Sequence, residues 1–396
     1  MFYRFFAALA LAILLPASPS GAASKYKILH AFGKGKDGGG VFAGVTFDGK
    51  GNLYGTTWGG GAYGEGTVFE LTSGSGGKWS ERILHSFCQG GSHCADGSLP
   101  ASTPAFDPAG NFYGTSNIAS FELSPNRETG SGWSFSVIYE NAGSSSFTID
   151  GAGNLYGAGN AFSQGGSVWE LTPGSGGWGL NELHIFCSWH HCDDGMGAPA
   201  PPVFDAAGNL YGTTKEGGVH NAGVAFELEY TAGAWKEHVL HSFPAFQGDG
   251  YTIYAGVVLD SNGNIYGTTA QGGDNEAGTV FRLSPQQNGQ WKETILYDFP
   301  NGSPDGEGPA AGLVFDNAGN LYGTTTAGGD ICSCGVVFKL APESGQWKYT
   351  VLHRFTGADG WVPQASLIFD GGYKHLYGTT TEGGPGNYGV VFEITP

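Results

Sequence analysis

Six Asp-Gly pairs recur along this chain, at Asp37, Asp96, Asp194, Asp249, Asp305 and Asp359. Carboxylates repeated in this way could line a mouth that binds a divalent cation or a polar ligand. A pair of them could also serve as acid and base on a glycan or lactone. Asp-Gly is equally an ordinary turn pair, and that reading is preferred. Aromatic and imidazole side chains gather in the same kind of segment: Trp58, Tyr63, Trp189, His190, His191, His220, Tyr251, Trp361 and Tyr388. Exposed rings of this kind suit stacking on sugars or peptides. The six cysteines fall into three close pairs: Cys88 with Cys94, Cys187 with Cys192, and Cys332 with Cys334. In an exported protein such pairs read as disulfides. The run Cys187-Ser-Trp-His-His-Cys192-Asp-Asp also offers metal donors, but tetrahedral zinc sites draw ligands from separated segments, so the disulfide is preferred.

The elements that must position these groups follow from a repeat. The phrase Gly-Asn-Leu-Tyr-Gly-Thr-Thr recurs with small variations seven times, marked by Tyr54, Tyr113, Tyr156, Tyr211, Tyr266, Tyr322 and Tyr377. The intervals are 59, 43, 55, 55, 56 and 55 residues, one regular unit with a single shortened copy. A period of this size signals a propeller, a solenoid or an array. Each unit holds four strand-like runs and no helical periodicity. In the first copy they are Val41–Asp48, Asn52–Thr57, Thr67–Thr72 and Trp79–Phe87. Asp closes the first run and a Gly-Asn turn follows, as in Asp107-Pro-Ala-Gly-Asn111, which is hairpin chemistry. Four antiparallel strands with tight connections make one propeller blade.

The two ends decide for a closed ring. A spare outer strand, Tyr26–Phe32, precedes the first unit, and the last unit stops at its third strand, Gly389–Thr395. Pairing them completes a seventh blade and removes an exposed edge. The sequence therefore predicts an all-β, seven-bladed propeller over residues 24–396, with the N-terminal strand closing the last blade. A closed ring needs no partner to bury its edges, so a monomer is expected.

The start of the chain reads as an export signal. A short basic start (Met1 to Arg4), an apolar run (Phe5 to Leu15) and a small-residue tail to Ala23 fit a signal peptide over residues 1–23. The apolar run is too short for a membrane span, which needs about 20 residues. Secretion to the periplasm or cell surface is the expectation, with no membrane insertion of the mature chain. The net charge of −18 argues against nucleic acid or an anionic membrane as partner.

The longer phrase Phe-Asp-x-x-Gly-Asn-Leu-Tyr-Gly-Thr-Thr-x-x-Gly-Gly, followed by Gly-x-Val-Phe-Glu-Leu, resembles the GloVer tandem repeat of "choice-of-anchor" bacterial surface proteins. The resemblance covers nearly all of the chain after residue 23. It implies an exported bacterial protein, often held at the envelope by a C-terminal anchor; this chain stops at Pro396 without a hydrophobic tail. It brings no catalytic residues with it.

The seven copies also sort scaffold from candidates. Trp79, Trp133, Trp178, Trp235, Trp291 and Trp347 begin outer strands, and His30, His85, His184, His241 and His353 sit later in them. Such recurrence reads as packing between blades. Departures from the pattern are the better functional candidates: Trp58, Tyr63, Trp189, His190, His191, Asp194, Tyr251, Trp361 and Tyr388. Blades two and three carry shorter loops, Asn117–Ser120 and Gly143–Ser146, and a groove is expected there. No Gly-x-Ser-x-Gly, His-Glu-x-x-His, phosphate loop or dinucleotide fingerprint occurs. The favoured function is a non-enzymatic extracellular module binding a glycan or protein. The alternative is a glycan- or lactone-directed hydrolase or lyase with carboxylates or His190 and His191 at the channel mouth. No cofactor is called for, a divalent cation at the Asp-lined mouth being the exception left open.

Overall fold

The computed structural model describes residues 24–33, 35–91, 94–126, 132–140, 146–159, 165–188, 191–244 and 248–396. The proposed signal peptide lies outside them. Seven four-stranded antiparallel sheets are arranged as the blades of a propeller. The first blade runs Thr46–Phe47, Leu53–Thr57, Thr67–Ser73 and Trp79–Ser86. The seventh is built from Ile368–Phe369, Leu376–Thr380 and Val390–Thr395, and its outer strand is Lys25–Ala31 from the other end of the chain. Lys25 faces Thr395 and Ala31 faces Val390, so the ring closes as the strand order predicts.

The repeated phrase is a turn and a tether. Asp48 Oδ1 accepts hydrogen bonds from the amides of Lys50 and Asn52, and its Oδ2 accepts one from Asn52 Nδ2. The Tyr54 hydroxyl donates to Glu70 Oε1 on the third strand at 2.8 Å and lies 3.3 Å from Asp48 Oδ2. The same Asp–Asn–Tyr set recurs at Asp150, Asp205, Asp260 and Asp316. In the last blade His375 Nδ1 replaces the Asn amide on Asp370. The Asp of each first strand is thus scaffold.

The innermost strands differ from expectation. The sequence suggests Val41–Asp48 in the first blade, yet only Thr46–Phe47 pairs in the ladder. The preceding residues run extended along the central opening, and their carbonyls bond across to a neighbouring blade. Thr379 Oγ1 donates to Ala43 O, Thr56 Oγ1 to Ser102 O, Thr213 Oγ1 to Ala255 O and Thr268 Oγ1 to Ala311 O. The second threonine-rich strand of one blade therefore laces the inner wall of the next. This satisfies backbone acceptors that a blade alone would leave unpaired.

Every outer strand carries a β-bulge at the same place. In the first blade Phe69 opposes Ile83 and Val68 opposes His85, leaving Leu84 as the extra residue. The same shift occurs in the other six. A bulge breaks the two-residue alternation of side chains. Trp79 and Ile83 consequently pack toward the seventh blade, whereas Leu84 and Phe87 pack toward the second. One strand thus serves two inter-blade cores.

Candidate functional site

The Asp-Gly ring does not line the channel mouth. Asp96 accepts from His85 Nε2 and from the Cys88 amide, Asp194 from His184 Nε2 and the Cys187 amide, and Asp359 from His353 Nε2 and the Thr356 amide and hydroxyl. Asp37 accepts from the amides of Gly33 and Gly35. These carboxylates cap the turn that leaves the outer strand, and Asp96, Asp194 and Asp359 also hold its histidine. Burial lowers the pKa of His85 and His184, and the hydrogen bond and charge of the partnering Asp act against it. Asp359 is held below the usual carboxylate range because its hydrogen bonds from His353 and Thr356 outweigh burial. Asp194 therefore moves from the candidate list to the scaffold.

The cysteines belong to the same scaffold. Cys88 is bonded to Cys94, Cys187 to Cys192 and Cys332 to Cys334, the three pairs the spacing suggests. Cys88 and Cys94 close the turn that Asp96 caps, and Cys187 and Cys192 close the equivalent turn at Asp194. The third pair sits differently. Cys334 is 1% exposed inside the core shared by the sixth and seventh blades, with Cys332 packed against that core. With Cys187 and Cys192 bonded to each other, neither offers a thiolate to a metal.

The seams between blades carry a second recurring position. At the position two residues after the outer-strand Trp, whose place is taken by Ser24 in the closing strand, a side chain meets the outer strand or the turn of the preceding blade. At three seams it is an aromatic ring stacked flat on its partner. Phe135 lies on His85, Tyr349 on Tyr297 and Tyr26 on His353, with centroids 3.8, 3.9 and 3.9 Å apart. At three others it is Glu: Glu81 beside His30, Glu293 beside His241, and Glu237 beside Asp194, the partner of His184. The aromatic and histidine sets read from the repeat are inter-blade packing, and the glutamates were not singled out.

The central opening is walled by small residues. Ala43, Ala200, Ala255, Ala311 and Ala365 occupy one level, and Thr103, Ser146, Gly256, Gly312 and Ser366 the next, around a cavity of about 320 Å³. The hydroxyls here receive neighbouring amides: Gly44 donates to Thr103 Oγ1, Thr103 to Ser146 Oγ and Gly312 to Ser366 Oγ. Among the described lining residues there is no carboxylate, imidazole, amine or guanidinium.

At one end this channel opens into a recess of about 500 Å³ over blades five, six, seven and one. Tyr254 stands at one side and Phe42 at the other, with Gln271, Thr326, Val362 and Gln364 between them. Both rings also border the channel itself. Phe42 is 39% and Tyr254 46% exposed. Trp58, 45% exposed, packs beside Phe42 at 5.8 Å between centroids. Lys215 Nζ lies 5.2 Å from the Tyr254 ring centroid. The Gln271 side-chain carbonyl accepts from Thr252 Oγ1. A rigid inner wall presents these groups, since the adjoining carbonyls are laced to the next blade.

Of the sequence candidates, Trp58 joins this cluster and Trp361 adjoins it. The Trp361 backbone pairs with Glu382, its ring is 40% exposed, and its neighbour Val362 lines the recess. Tyr63 is 48% exposed but does not line the recess. The Tyr251 hydroxyl donates to Glu276, and Tyr388 is half-buried against the core shared by the seventh and first blades. His191 is exposed. Trp189 and His190 lie outside the described residues. The loop expected to leave a groove at blade three falls mostly outside the described residues, and the recess over the channel mouth lies elsewhere. Sequence reading missed Phe42, Tyr254, Gln271 and Gln364. The available signal was register: four residues before the inner pair, the copies read Phe42, Ala101, Pro199, Tyr254, Ala310 and Gln364. That position diverges while the following alanines hardly change.

Residues 198–396 match the sequence profile of the Gloeobacter/Verrucomicrobia repeat. No curated protein sequence matches the chain. Among solved structures, it is similar to the extracellular domain of a candidate hybrid two component system, BT4673, from B. thetaiotaomicron: TM-score 0.57, 9% identity, covering 93% of this chain and 39% of that one. A second such domain, BT3049 from the same organism, gives TM-score 0.55 at 14% identity, covering 94% and 41%. This chain thus spans about two fifths of the length of those proteins. A candidate 6-phosphogluconolactonase from Bacteroides uniformis gives TM-score 0.50 at 16% identity, covering 83% and 88%. At these identities the likeness is one of fold.

Proposed function

The chain belongs to the Gloeobacter/Verrucomicrobia repeat family, and from that premise we propose that it is an exported, non-enzymatic propeller that binds a glycan in the recess over blades five, six, seven and one. The observation that carries this reading is the composition of the recess. Exposed rings of Phe42 and Tyr254 flank the amides of Gln271 and Gln364, Trp58 packs beside Phe42, and among the described residues no charged side chain lines the recess. Aromatic faces accept the apolar faces of pyranose rings, and amides exchange hydrogen bonds with hydroxyls. Three disulfides fit an oxidising compartment. Among the described residues no helix is long and apolar enough to cross a membrane.

Acid–base hydrolysis of a sugar or lactone needs a carboxylate or imidazole at the reacting atoms. The described channel wall carries neither, and Asp96, Asp194 and Asp359 of the Asp ring are engaged in turn capping. Binding without turnover is therefore the reading the geometry favours. The test is a panel of neutral, acidic and basic oligosaccharides titrated against the oxidised chain with tryptophan fluorescence as readout. Saturable quenching by a neutral glycan, with the glycan recovered intact, supports the proposal. Saturable binding only of charged glycans, or hydrolysis of any of them, overturns it.

A further inference from the structure

We infer that two seams of the ring are divalent-cation sites: one formed by His30, Asp37 and Glu81 where the closing strand meets the first blade, the other by His241, Asp249 and Glu293 between blades four and five. In each trio one imidazole nitrogen and two carboxylate oxygens lie within 4.8 Å of one another. That set can converge on a single ion without moving the backbone. All six residues are half-buried, each trio drawing on two blades and the turn between strands.

The second observation is what these groups fail to do for each other. His30 Nε2 and Glu81 Oε1 are sealed from solvent and neither makes a hydrogen bond, their separation being 3.7 Å. His241 Nε2 and Glu293 Oε1 are likewise buried without a hydrogen bond. His241 Nε2 stands 3.3 Å from Glu293 Oε2 and 3.9 Å from Asp249 Oδ2, without the alignment a hydrogen bond needs. Unpaired buried polar atoms are costly and rare in folded chains. The comparison within the molecule is direct: His85, His184 and His353, at the same position of other blades, each bond an aspartate at 2.9–3.2 Å. Where the facing residue is aromatic, as at His85 and His353, the imidazole stacks and is satisfied. Where Glu81 and Glu293 replace the ring, a second carboxylate is added and the imidazole nitrogen is left aimed at it.

A cation resolves all three shortfalls together. It takes the lone pair of a neutral imidazole, the charge of two carboxylates and the orphaned oxygens. One nitrogen and two oxygens suit zinc or another borderline ion such as manganese better than calcium, which prefers six to eight oxygens. Three protein ligands leave a position open for water. Asp37 is already oriented by the amides of Gly33 and Gly35, an arrangement that fixes a ligating carboxylate. The third glutamate seam is different, because His184 is hydrogen-bonded to Asp194, and it is excluded from the proposal.

The oxidised chain, stripped with a chelator and dialysed, is titrated calorimetrically with zinc chloride, and bound zinc is counted by mass spectrometry after gel filtration. Two ions per chain are expected, with one remaining in Glu81→Gln, one in Glu293→Gln and none in the double variant. His85→Gln, altered at an aromatic seam, should still hold two. Where a Glu variant does not fold, cobalt-loaded wild type gives an independent readout, a visible absorption band of imidazole- and carboxylate-bound Co2+. Absence of stoichiometric zinc or cobalt binding by folded wild type overturns the inference. So does binding unchanged in both Glu variants, which would place the metal on exposed histidines.

Discussion

Phe69 lies across Gly55, its cross-strand partner, so closely that a methyl group on Gly55 would sit 2.5 Å from the ring edge. The pair explains why the repeated phrase needs Gly between Tyr and Thr: Gly267 with Phe281 and Gly212 with Phe226 repeat it at 2.5 and 2.6 Å. Both members are fully buried, so the ring has nowhere to go. Gly267→Ala should destabilise the fold by about 1–3 kcal/mol, the usual cost of overpacking. A thermal melt reads it, and adding Phe281→Leu should recover part of the loss. A neutral Gly267→Ala would mean that the blade relaxes freely.

Closure of the ring rests on Lys25–Ala31 pairing with Val390–Thr395. Deleting residues 24–32 exposes the backbone of Val390–Thr395 as an edge strand, and also removes Phe32, which is fully buried. The truncated chain should run as multimers on gel filtration and melt well below the full one. A peptide of residues 24–33 supplied in trans should restore the monomer. A truncated chain that stays monomeric with an unchanged melt would refute the clasp.

Most of this architecture is legible in the chain because the repeat states it seven times. The Tyr-to-Tyr interval, the Asp-x-x-Gly-Asn turn and the order of strand types at the two ends are local or arithmetic signals. So is the cysteine pairing, since Cys94 and Cys334 each stand within six residues of their partners. The bulge at Leu84 was not legible: it shows only as a broken alternation, and every residue around it is apolar or amphipathic. It decides that Glu81 and His85, four apart on one strand, meet different blades, so the seam trios join residues distant in sequence. The recess was missed for another reason. Phe42 and Tyr254 occupy a ring position that is Ala, Pro or Gln in the other described copies, so no shared residue type marks it, and it lies at the start of the inner strand rather than in a loop of unusual length.

The turn aspartates should make the fold acid-sensitive. Burial alone would raise the carboxyls of Asp150, Asp260 and Asp316, but hydrogen bonds from Asn154, Asn264 and Asn320 and from nearby amides outweigh it and hold them below 3.8. A lowered folded-state pKa gives stability that is complete above the unfolded value and is lost as pH falls through the folded one. The melting temperature should therefore drop steeply below about pH 4. Asp316→Asn should be less stable at neutral pH and show a shallower acid limb. An acid limb unchanged in that variant would show that Asp316 contributes nothing to it.

Glu237 carries the opposite sign. Burial first, and the charge of Asp194 second, push its carboxyl up to about 7. A raised acid contributes stability that is fully present below its unfolded value, 4.5, and gone once pH passes its folded value. Buried His184, its pKa lowered, works the other way below 6.5. The informative quantity is thus the difference between wild type and Glu237→Gln. The variant should gain stability relative to wild type as pH rises from about 5 to 8, measured by chemical denaturation at each pH. A difference that does not vary with pH would rule out this ionisation.

The binding proposal separates two classes of exposed aromatic. Trp58 and Tyr254 belong to the recess cluster, whereas Tyr63, equally exposed, does not line it. Solvent-facing rings add little to folding, so all three alanine variants should melt within a degree or two of wild type. Truncating an aromatic that anchors a ligand typically costs more than about 1 kcal/mol, and about 1.4 kcal/mol is tenfold in affinity. Trp58→Ala and Tyr254→Ala should therefore weaken glycan binding about tenfold or more, and Tyr63→Ala should leave it unchanged. Phe42→Ala should fall with the first pair, because its ring supports Trp58 and borders both the recess and the channel. Loss of binding in Tyr63→Ala with Tyr254→Ala unaffected would move the site off the channel mouth to the loop tips.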